Sequence, residues 1–572
     1  MEVALHRPPV RGDRPARRPG ARVHGGHPRE RQGPDPRLHR QQQRDHAGDA
    51  AVQGPGQAAA LGRRRPDAVG PQLPRCALRA AGPHGRRAAA LRAPGRQRAG
   101  SGAVLSRRGL LAGSAAAASA LLAGCGSVAR QSGLVPGTGA SAPRVAEPAS
   151  PVAGLTGAEY QWARTAWRYL ENNTDYDTGL VNGTDRGPLF TAWNAADAIA
   201  ATIAGHELQI IDAREFDLRL SRLLGFLATM DLSQGKLPNK AYNAVSGKMV
   251  GFDNRPDDIG WSAVDIGRLL LWLRIAGQRH PRFGEYADKA VLRWTLCDVI
   301  DPCGVLQGSA RFDGRLARYQ EGRLGYEQLA ASGYAAWGVE AGRSTALPPL
   351  ATANIHGLPL RYDARDPRTS GAQAPVLTMP FVLAGIELGW HTPDGQEGMR
   401  PLAEQVYRVQ EERWRRERQV TARSDYQLRE APYVVLDSVY ASGYAWNTIA
   451  GDGSGHERLA LVSTRAAFGL WALWPGDYAN ALVENVRYLH DPDRGWFEGR
   501  FEQGGGPNTL ITLSTNAALL EILLFKAAGV LYRQDASRSG YFQVQTGDPF
   551  NRIGRCWPGE REACTAAGAA AG

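Results

Sequence analysis

From about residue 155 onward the chain reads as an all-α domain, an (α/α)6 toroid of helical hairpins with short β pieces in its loops, behind a disordered N-terminal region. Three observations predict this. About ten stretches of helical period follow one another over roughly 380 residues, alternating with long polar loops rich in Gly, Asn, Asp and aromatics. No Pro/Ser linker or composition break divides them, so residues 155–532 are read as one domain. Nor is there a fixed period of roughly 34 to 47 residues, which a solenoid of short repeats would show. Paired helices in one array suggest a ring that closes its own ends around a cleft floored by inner-helix N-termini.

The 572 residues carry a formal net charge of +12, placed unevenly: +17 within residues 1–150 and −5 in the rest. A basic chain would suggest nucleic acid or an anionic surface, but here the part able to fold is mildly acidic, so no nucleic-acid partner is expected. The first aromatic residue is Tyr160 and the first lysine Lys236. A segment without Phe, Trp or Tyr cannot bury enough apolar area to offset its chain entropy. Residues 1–103 are therefore read as a disordered or spurious extension.

Leu105-Ser106-Arg107-Arg108-Gly109-Leu110-Leu111, an apolar Ala/Gly/Ser/Leu run and Leu122-Ala123-Gly124-Cys125 make a complete export signal at 104–125. Ser-Arg-Arg-x-Leu-Leu resembles the twin-arginine signal, and Leu-Ala-Gly-Cys resembles the bacterial lipobox. Such a signal works at an N-terminus, so translation is expected to start near Val104. Cys125 is the expected lipidation site, residues 126–154 a flexible tether, and the location the bacterial envelope, periplasmic and anchored in the outer membrane because Gly126 follows the cysteine. The membrane is thus a partner through that lipid. In an oxidising compartment Cys297, Cys303, Cys556 and Cys564 form an even set, with local pairs 297–303 and 556–564 the economical choice, the latter within a C-terminal tail at 533–572. No metal or other cofactor is expected, since no Cys-x-x-Cys occurs and no histidine neighbours either pair.

Thr156 is the expected N-cap of a first helix to Asn172, with Tyr160, Ala163, Trp167 and Leu170 at helical spacing. Helices follow at Phe190–Ala204, carrying Trp193 and Asp197, and at Asp212–Met230, where Phe216, Leu220, Leu223, Leu224 and Leu227 share a face. Next come a central helix beginning after Asp258 and one at Phe283–Leu296. The pattern continues at Tyr326–Val339, Val376–Leu388, Leu402–Glu417, Ser463–Trp474, Tyr478–Leu489 and Ser514–Ala528. Strand signals are confined to pieces such as Pro432–Leu436. Glu411–Arg418 reads as a solvated helix face with i,i+4 pairs.

The central helix organises the functional reading. Trp261, Asp265, Arg268 and Trp272 fall on one stripe, while Ile266, Leu270 and Leu273 make a separate apolar stripe. Large indoles are wasted in water, so the first stripe is expected to line a cleft, where a carboxylate and an aromatic platform suit a pyranose ring. The alternative is an Asp265–Arg268 pair flanked by core tryptophans. Glu327, behind Tyr326 at a helix start, would be ionised by the dipole unless burial outweighs it. A loop at Arg423-Ser424-Asp425 offers another acid. In Gly495–Glu502, Trp496, Phe497 and Glu502 either face a sugar or form a β-bridge with Glu498 outward. No Gly-x-Ser-x-Gly, Walker loop or His-Glu-x-x-His is present, Gly504-Gly505-Gly506 follows no strand signal, and the six histidines after residue 150 are scattered. Carboxylates are left as the proton-transfer groups.

Gly260–Leu269, Gly325-Tyr326-Glu327-Gln328, Ser463–Gly469 and Ser514-Thr515-Asn516-Ala517 resemble the bacterial envelope family catalogued as domain of unknown function 3131, over roughly residues 155 to 530. That family looks like a relative of the six-hairpin glycosidases, especially the glucoamylase-like endo-β-1,2-glucanases. Val264-Asp265-Ile266-Gly267 is similar to their Ile-Asp-Thr-Ala helix, and Gly325-Tyr326-Glu327 to their Tyr-Asn-Glu motif. The resemblance implies Glu327 as general acid and Asp265 as a base or subsite carboxylate. Where the pattern has Ala-x-Ser-Glu-Asp, this chain has Ala422-Arg423-Ser424-Asp425, which leaves only Asp425. The expected substrate-binding residues are Trp193, Asp197, Asp258, Trp261, Arg268, Tyr326, Trp496 and Glu502. The expected activity is glycoside hydrolysis, inverting, on a glucan or exopolysaccharide. A non-catalytic polysaccharide-binding or secretion-accessory lipoprotein is the reading from another class, and a lyase a third.

Overall fold

Two kinds of helix alternate along the chain. The computed structural model describes residues 149–534 except 313, 340, 368–371 and 393–397. One kind buries a single stripe: α1 (Gly157–Asn173), α3 (Ala213–Thr229), α5 (Gly284–Val291), α9 (Arg400–Glu417) and α11 (Asp477–Val486), with the one-turn α7 (Gly342–Thr345) in the corresponding place. The other kind is buried nearly all round: α2 (Ala192–Glu207), α4 (Ala263–Arg279), α6 (Tyr326–Ala336), α8 (Met379–Leu388), α10 (Thr464–Leu473) and α12 (Leu513–Ala528). Sequence dictates the difference. The stripe of α3 is Phe216, Leu220, Leu223, Leu224 and Leu227, whereas α2 is alanine-rich with no polar face.

The even-numbered helices pack in a closed cycle, α2 on α4, α4 on α6, α6 on α8, α8 on α10, α10 on α12 and α12 back on α2. The odd ones pack against them from one side, α1 on α12 and α11 on α10 among them. Lys526 Nζ on α12 donates to Glu159 Oε1 on α1 at 2.5 Å, which fastens the last helix to the first. Small residues set the closest crossing: a Cβ on Gly333 of α6 would come 1.8 Å from Gly267 O of α4, and one on Gly267 would meet Ala330 O at 2.5 Å. No side chain but hydrogen fits between these backbones.

Connections differ at the two ends. Chain leaving an even helix returns quickly, through 280–283 or 474–476, whereas chain entering one runs through long segments such as 292–325 or 418–463. The sheets lie in those long segments. Strands β1 (Gln307–Phe312) and β2 (Arg315–Gln320) form a hairpin, as do β3 (Leu350–Ile355) and β4 (Leu358–Asp363). Strand β5 (Asp425–Gln427) pairs with β6 (Val434–Asp437), which pairs on its other edge with Thr448–Ile449. Strand β7 (Leu461–Ser463) pairs with β8 (Gly495–Phe501), which also pairs with β9 (Pro507–Ile511) and with His490–Asp491. Strands thus hold more of the loops than the short pieces expected. Long loops on a rigid helical base are where binding groups concentrate.

Helix placement otherwise follows expectation, with shifts at the ends. Thr156 forms a capping box with Glu159, and Asp212 caps α3. The helix expected through Leu296 stops at Val291, and the one expected from Val376 starts at Met379, because Val376 pairs with Tyr440. Gly504-Gly505-Gly506 does follow a strand, forming the turn from β8 into β9. Cys297 and Cys303 are both disulfide-bonded. The export signal, Cys125, the tether through 148, Cys556 and Cys564 lie outside the described residues. Among the described residues no helix is long and apolar enough to cross a membrane, and no group of three or more His, Cys, Asp or Glu is placed to hold a metal ion.

Candidate active site

The N-terminal turns of the even helices supply most of the polar groups named from sequence. Their free backbone amides need acceptors, and the residues at these positions provide them. Thr191 and Asn194 form a capping box on α2, Ser262 Oγ accepts from Asp265 N at 3.1 Å, and Thr512 Oγ1 accepts from Thr515 N at 3.1 Å. Glu321, just before α6, accepts from the amides of Ala263 and Val264 and so caps α4 from outside.

Arg268 of α4 lies at the centre, fully buried. It donates to Asp197 of α2, to Glu387 of α8 at 3.0 Å and to Glu521 of α12 at 2.7 Å, while its guanidinium stacks 4.6 Å over the Trp193 ring. Ser514 donates to Asp197 at 2.7 Å, and Trp272 Nε1 donates to Glu387 at 2.8 Å. Burial raises both Glu387 and Glu521; the charge of Glu387 pushes Glu521 up further, while a hydrogen bond with Glu521 opposes the rise at Glu387. Three acids against one base, sealed from water, hold fewer than three negative charges. This cluster joins four helices of the cycle.

Tyr326 packs edge-on against Trp193 at 5.4 Å and donates its hydroxyl to Asp425 Oδ1 at 2.8 Å. Arg465 of α10 donates to Asp425 Oδ2 at 2.7 Å, so Asp425 is an ion-paired carboxylate. Asp265 is the opposite case: it is fully buried, and neither oxygen closes a hydrogen bond. Burial and the nearby Glu321 push it well above the usual carboxylate range, against weaker opposition from Ser262, Lys240 and the Trp193 backbone, so it is a neutral acid.

Glu327 stands at the first turn of α6, 4% exposed. Oε2 accepts from Arg365 at 2.6 Å, and Oε1 accepts from Ser344 at 3.0 Å and Gln320 at 3.4 Å. Burial raises its pKa despite Arg365, Arg323 and Ser344, which all favour the anion. The dipole expectation is thereby reversed: desolvation wins. Arg365 is held in turn by Asp363, at 3.0 and 3.1 Å from Nε and 2.5 Å from Nη2.

The aromatic platform expected from the central helix is not formed. Trp261 and Trp272 are both sealed, because their indole N–H groups find backbone and carboxylate acceptors inside, Gln307 O and Glu387. The Asp265–Arg268 pair does not form either, since Arg268 turns to three other carboxylates. Trp193 is buried under Arg268. Trp496 is buried between Phe468 and His490 and donates to Trp162 O at 3.2 Å. Glu498 does not face outward: it accepts from Thr512, Thr515 and the Gln427 amide, holding β8 to α12. Glu502 pairs with Arg423 and Arg413, and Asp258 is spent on Ser233, Gln234 and Gly260. Glu411–Arg418 carries the expected pairs, Glu412 to Arg415 and Arg416 and Glu417 to Arg413. A cavity of about 530 Å3 between α9 and α11, lined by Glu412, Trp414, Arg415, Arg418 and Asp477 among others, touches none of Asp265, Glu327 and Asp425.

Sequence reading missed Glu321, Asp363, Arg365 and Asp437. Asp437 of β6 accepts from Arg423, Thr448 and the Leu461 amide, and burial with Glu502 nearby pushes it up to about 6. Asp363 ends, and Arg365 follows, a strand that sequence did not reveal, and nothing local marks either as functional.

Fold and site together define a helical-hairpin protein with buried acids and guanidinium groups among its central helices, Asp265 and Glu327 at entry ends and Glu387 near an exit end. The chain belongs to the family described as "Protein of unknown function (DUF3131)", which it matches over residues 161–529. No curated protein matches it. Among solved structures it is similar to an endo-β-1,2-glucanase from Chitinophaga pinensis in complex with sophorotriose and glucose, at 13% identity and TM-score 0.48, covering 68% of this chain and 96% of that one. A candidate glucoamylase from Bacteroides caccae shows 14% identity and TM-score 0.47, covering 68% and 97%. An endo-β-1,2-glucanase from Talaromyces funiculosus in complex with sophorose shows 12% and 0.42, covering 71% and 94%. At these identities and scores neither the activity nor the substrate of those proteins transfers to this chain.

Proposed function

We propose that the described domain is an (α/α)6 toroid acting as a glycoside hydrolase on a glucan or exopolysaccharide, with Glu327 as proton donor and Asp425 as the base. The observation that supports this most is Glu327 itself, a carboxyl whose pKa burial raises above its ordinary value even beside a partly exposed Arg365. A paired acid and base sit in different surroundings, and Asp425, ion-paired to Arg465, is the second carboxylate of the pair. In an inverting step Glu327 gives its proton to the glycosidic oxygen as the bond to the anomeric carbon breaks. Asp425 takes the proton of the attacking water, a step that in inverting enzymes requires carboxyl groups about 6.5–9.5 Å apart. Asp265, neutral and sealed, supports the wall between α4 and Glu321.

A second reading, a polysaccharide-binding lipoprotein without turnover, is favoured by one observation: Asp425 and Asp265 are both fully buried, so neither meets bulk water. Incubating the purified protein with β-1,2-glucan, cellulose and the host's own exopolysaccharide separates the two. New reducing ends, lost in Glu327→Gln, support the hydrolase; affinity without reducing ends supports the binder. The chain is tethered to the envelope by a lipid on Cys125, a reading that rests on the Ser-Arg-Arg and Leu-Ala-Gly-Cys motifs. Metabolic labelling with palmitate is expected to mark the protein and to fail in Cys125→Ser; an unlabelled wild type overturns it.

A further inference from the structure

We infer that Arg365 recognises an acidic group on the glycan, so that the substrate taken up beside Glu327 is an anionic, uronate-bearing polysaccharide rather than a neutral glucan. The inference rests on the reading of this end of the molecule as the glycan site. Its first support is the geometry of one guanidinium. Nε and Nη2 of Arg365 are fully engaged, Nε with both Asp363 oxygens at 3.0 and 3.1 Å and Nη2 with Asp363 at 2.5 Å and Glu327 at 2.6 Å. These bonds fix the plane of the group. Nη1 makes no hydrogen bond to any described residue, it is not among the sealed polar atoms, and the side chain is 17% exposed. A planar donor edge, immobilised on one side and open on the other, is preorganised for a carboxylate.

Charge is the second support. Arg365 is bonded to two carboxylates, Asp363 and Glu327, and faces a second guanidinium, Arg323, which is fully buried and is pushed down to about 10 by burial and by Arg365. When Glu327 carries the proton it must donate, Asp363 is the one anion left bonded to Arg365, with Arg323 still repelling it. At that open edge a carboxylate accepts a charge-assisted hydrogen bond that an uncharged hydroxyl does not match.

The test uses tetramers of glucuronate, galacturonate and mannuronate, each beside its carboxyl-reduced neutral counterpart, titrated calorimetrically into the full-length protein. At least one acidic tetramer is expected to bind about tenfold or more tighter than its reduced form, the scale of a charge-assisted hydrogen bond. That gap is expected to collapse in Arg365→Gln and to persist in part in Arg365→Lys, with thermal melts confirming that both variants fold. The wild-type comparison decides the preference even if Arg365→Gln does not fold. Equal affinities, tighter neutral binding, a gap that survives Arg365→Gln, or no binding of any acidic tetramer overturns the inference. Acid-selective binding without new reducing ends sinks the hydrolase reading and leaves this inference standing, whereas cleavage with no preference for acidic glycans does the reverse.

Discussion

Glu327 shows how two local effects compete at one residue. A helix N-terminus favours its anion by a few tenths to about 1 kcal/mol, and Arg365 adds to that, yet desolvation exceeds both. Glu327→Gln keeps the shape and the hydrogen bond from Ser344 but removes the transferable proton, so turnover is expected to fall about 10²- to 10⁴-fold in a reducing-end assay, with little change in glycan affinity. Asp437 gives a pH signature. Its folded-state value of about 6 lies above the unfolded value near 3.8, so between about pH 4 and pH 6 the folded state binds the extra proton and stability falls as pH rises. The loss assignable to this group is about 3 kcal/mol across that window. Urea unfolding at pH 4 and pH 6.5 is expected to show a smaller drop in Asp437→Asn; an unchanged drop would mean that Asp437 titrates normally. At this scale the sequence was only partly legible. Glu327 and Asp265 carry recognisable motifs, but the burial that sets their charge and the neighbours that modify it, Arg365 and Glu321, depend on loops whose path no local pattern encodes. The tryptophans misled because an indole fits a sealed wall as well as an open cleft.

At the scale of elements, the α4–α6 crossing is held close by Gly267 and Gly333. Gly333→Ala must push the two helices apart, since its methyl group would meet Gly267 O. Overpacking of this kind costs about 1–3 kcal/mol, against the slight gain in helix propensity that alanine would bring at an open site. A lowered urea midpoint is the expected result, and an unchanged or raised one would show that the crossing is slack. The helices themselves were legible because apolar spacing and caps such as Thr156 and Asp212 act locally. The hairpins were not read, although signals for them exist. In β3–β4 the turn is His356-Gly357, with φ of +53° and +86°, the left-handed pair that a tight two-residue turn requires. In β1–β2 an Asp-Gly pair stands at the corresponding place in the sequence. Mixed polar strands on either side, such as Arg315–Gln320, lack the apolar alternation that would have announced them.

For the whole molecule, Arg268 matters most. Among the described residues it alone bonds carboxylates from three other helices of the cycle, so Arg268→Met leaves Asp197, Glu387 and Glu521 without this cation. The expected destabilisation is about 3–5 kcal/mol, read from denaturant unfolding; a change under about 1 kcal/mol would show that the acids are neutralised without it. Arg268→Lys is expected to recover only part, because a single ammonium cannot reach three separate carboxylates. The fold class was readable from helix count and continuity, but which helices close on which was not, since Arg268 gives no sign in sequence of partners 71, 119 and 253 positions away. Another consequence lies in the bond from Lys526 to Glu159. It makes the domain's beginning and end spatial neighbours, so the polypeptide is in effect a circle with an arbitrary cut. Linking residue 155 to 532 and reopening the backbone within 474–476 should yield a permuted protein with the same unfolding transition. Deleting α12, by contrast, breaches the wall instead of shortening a stack.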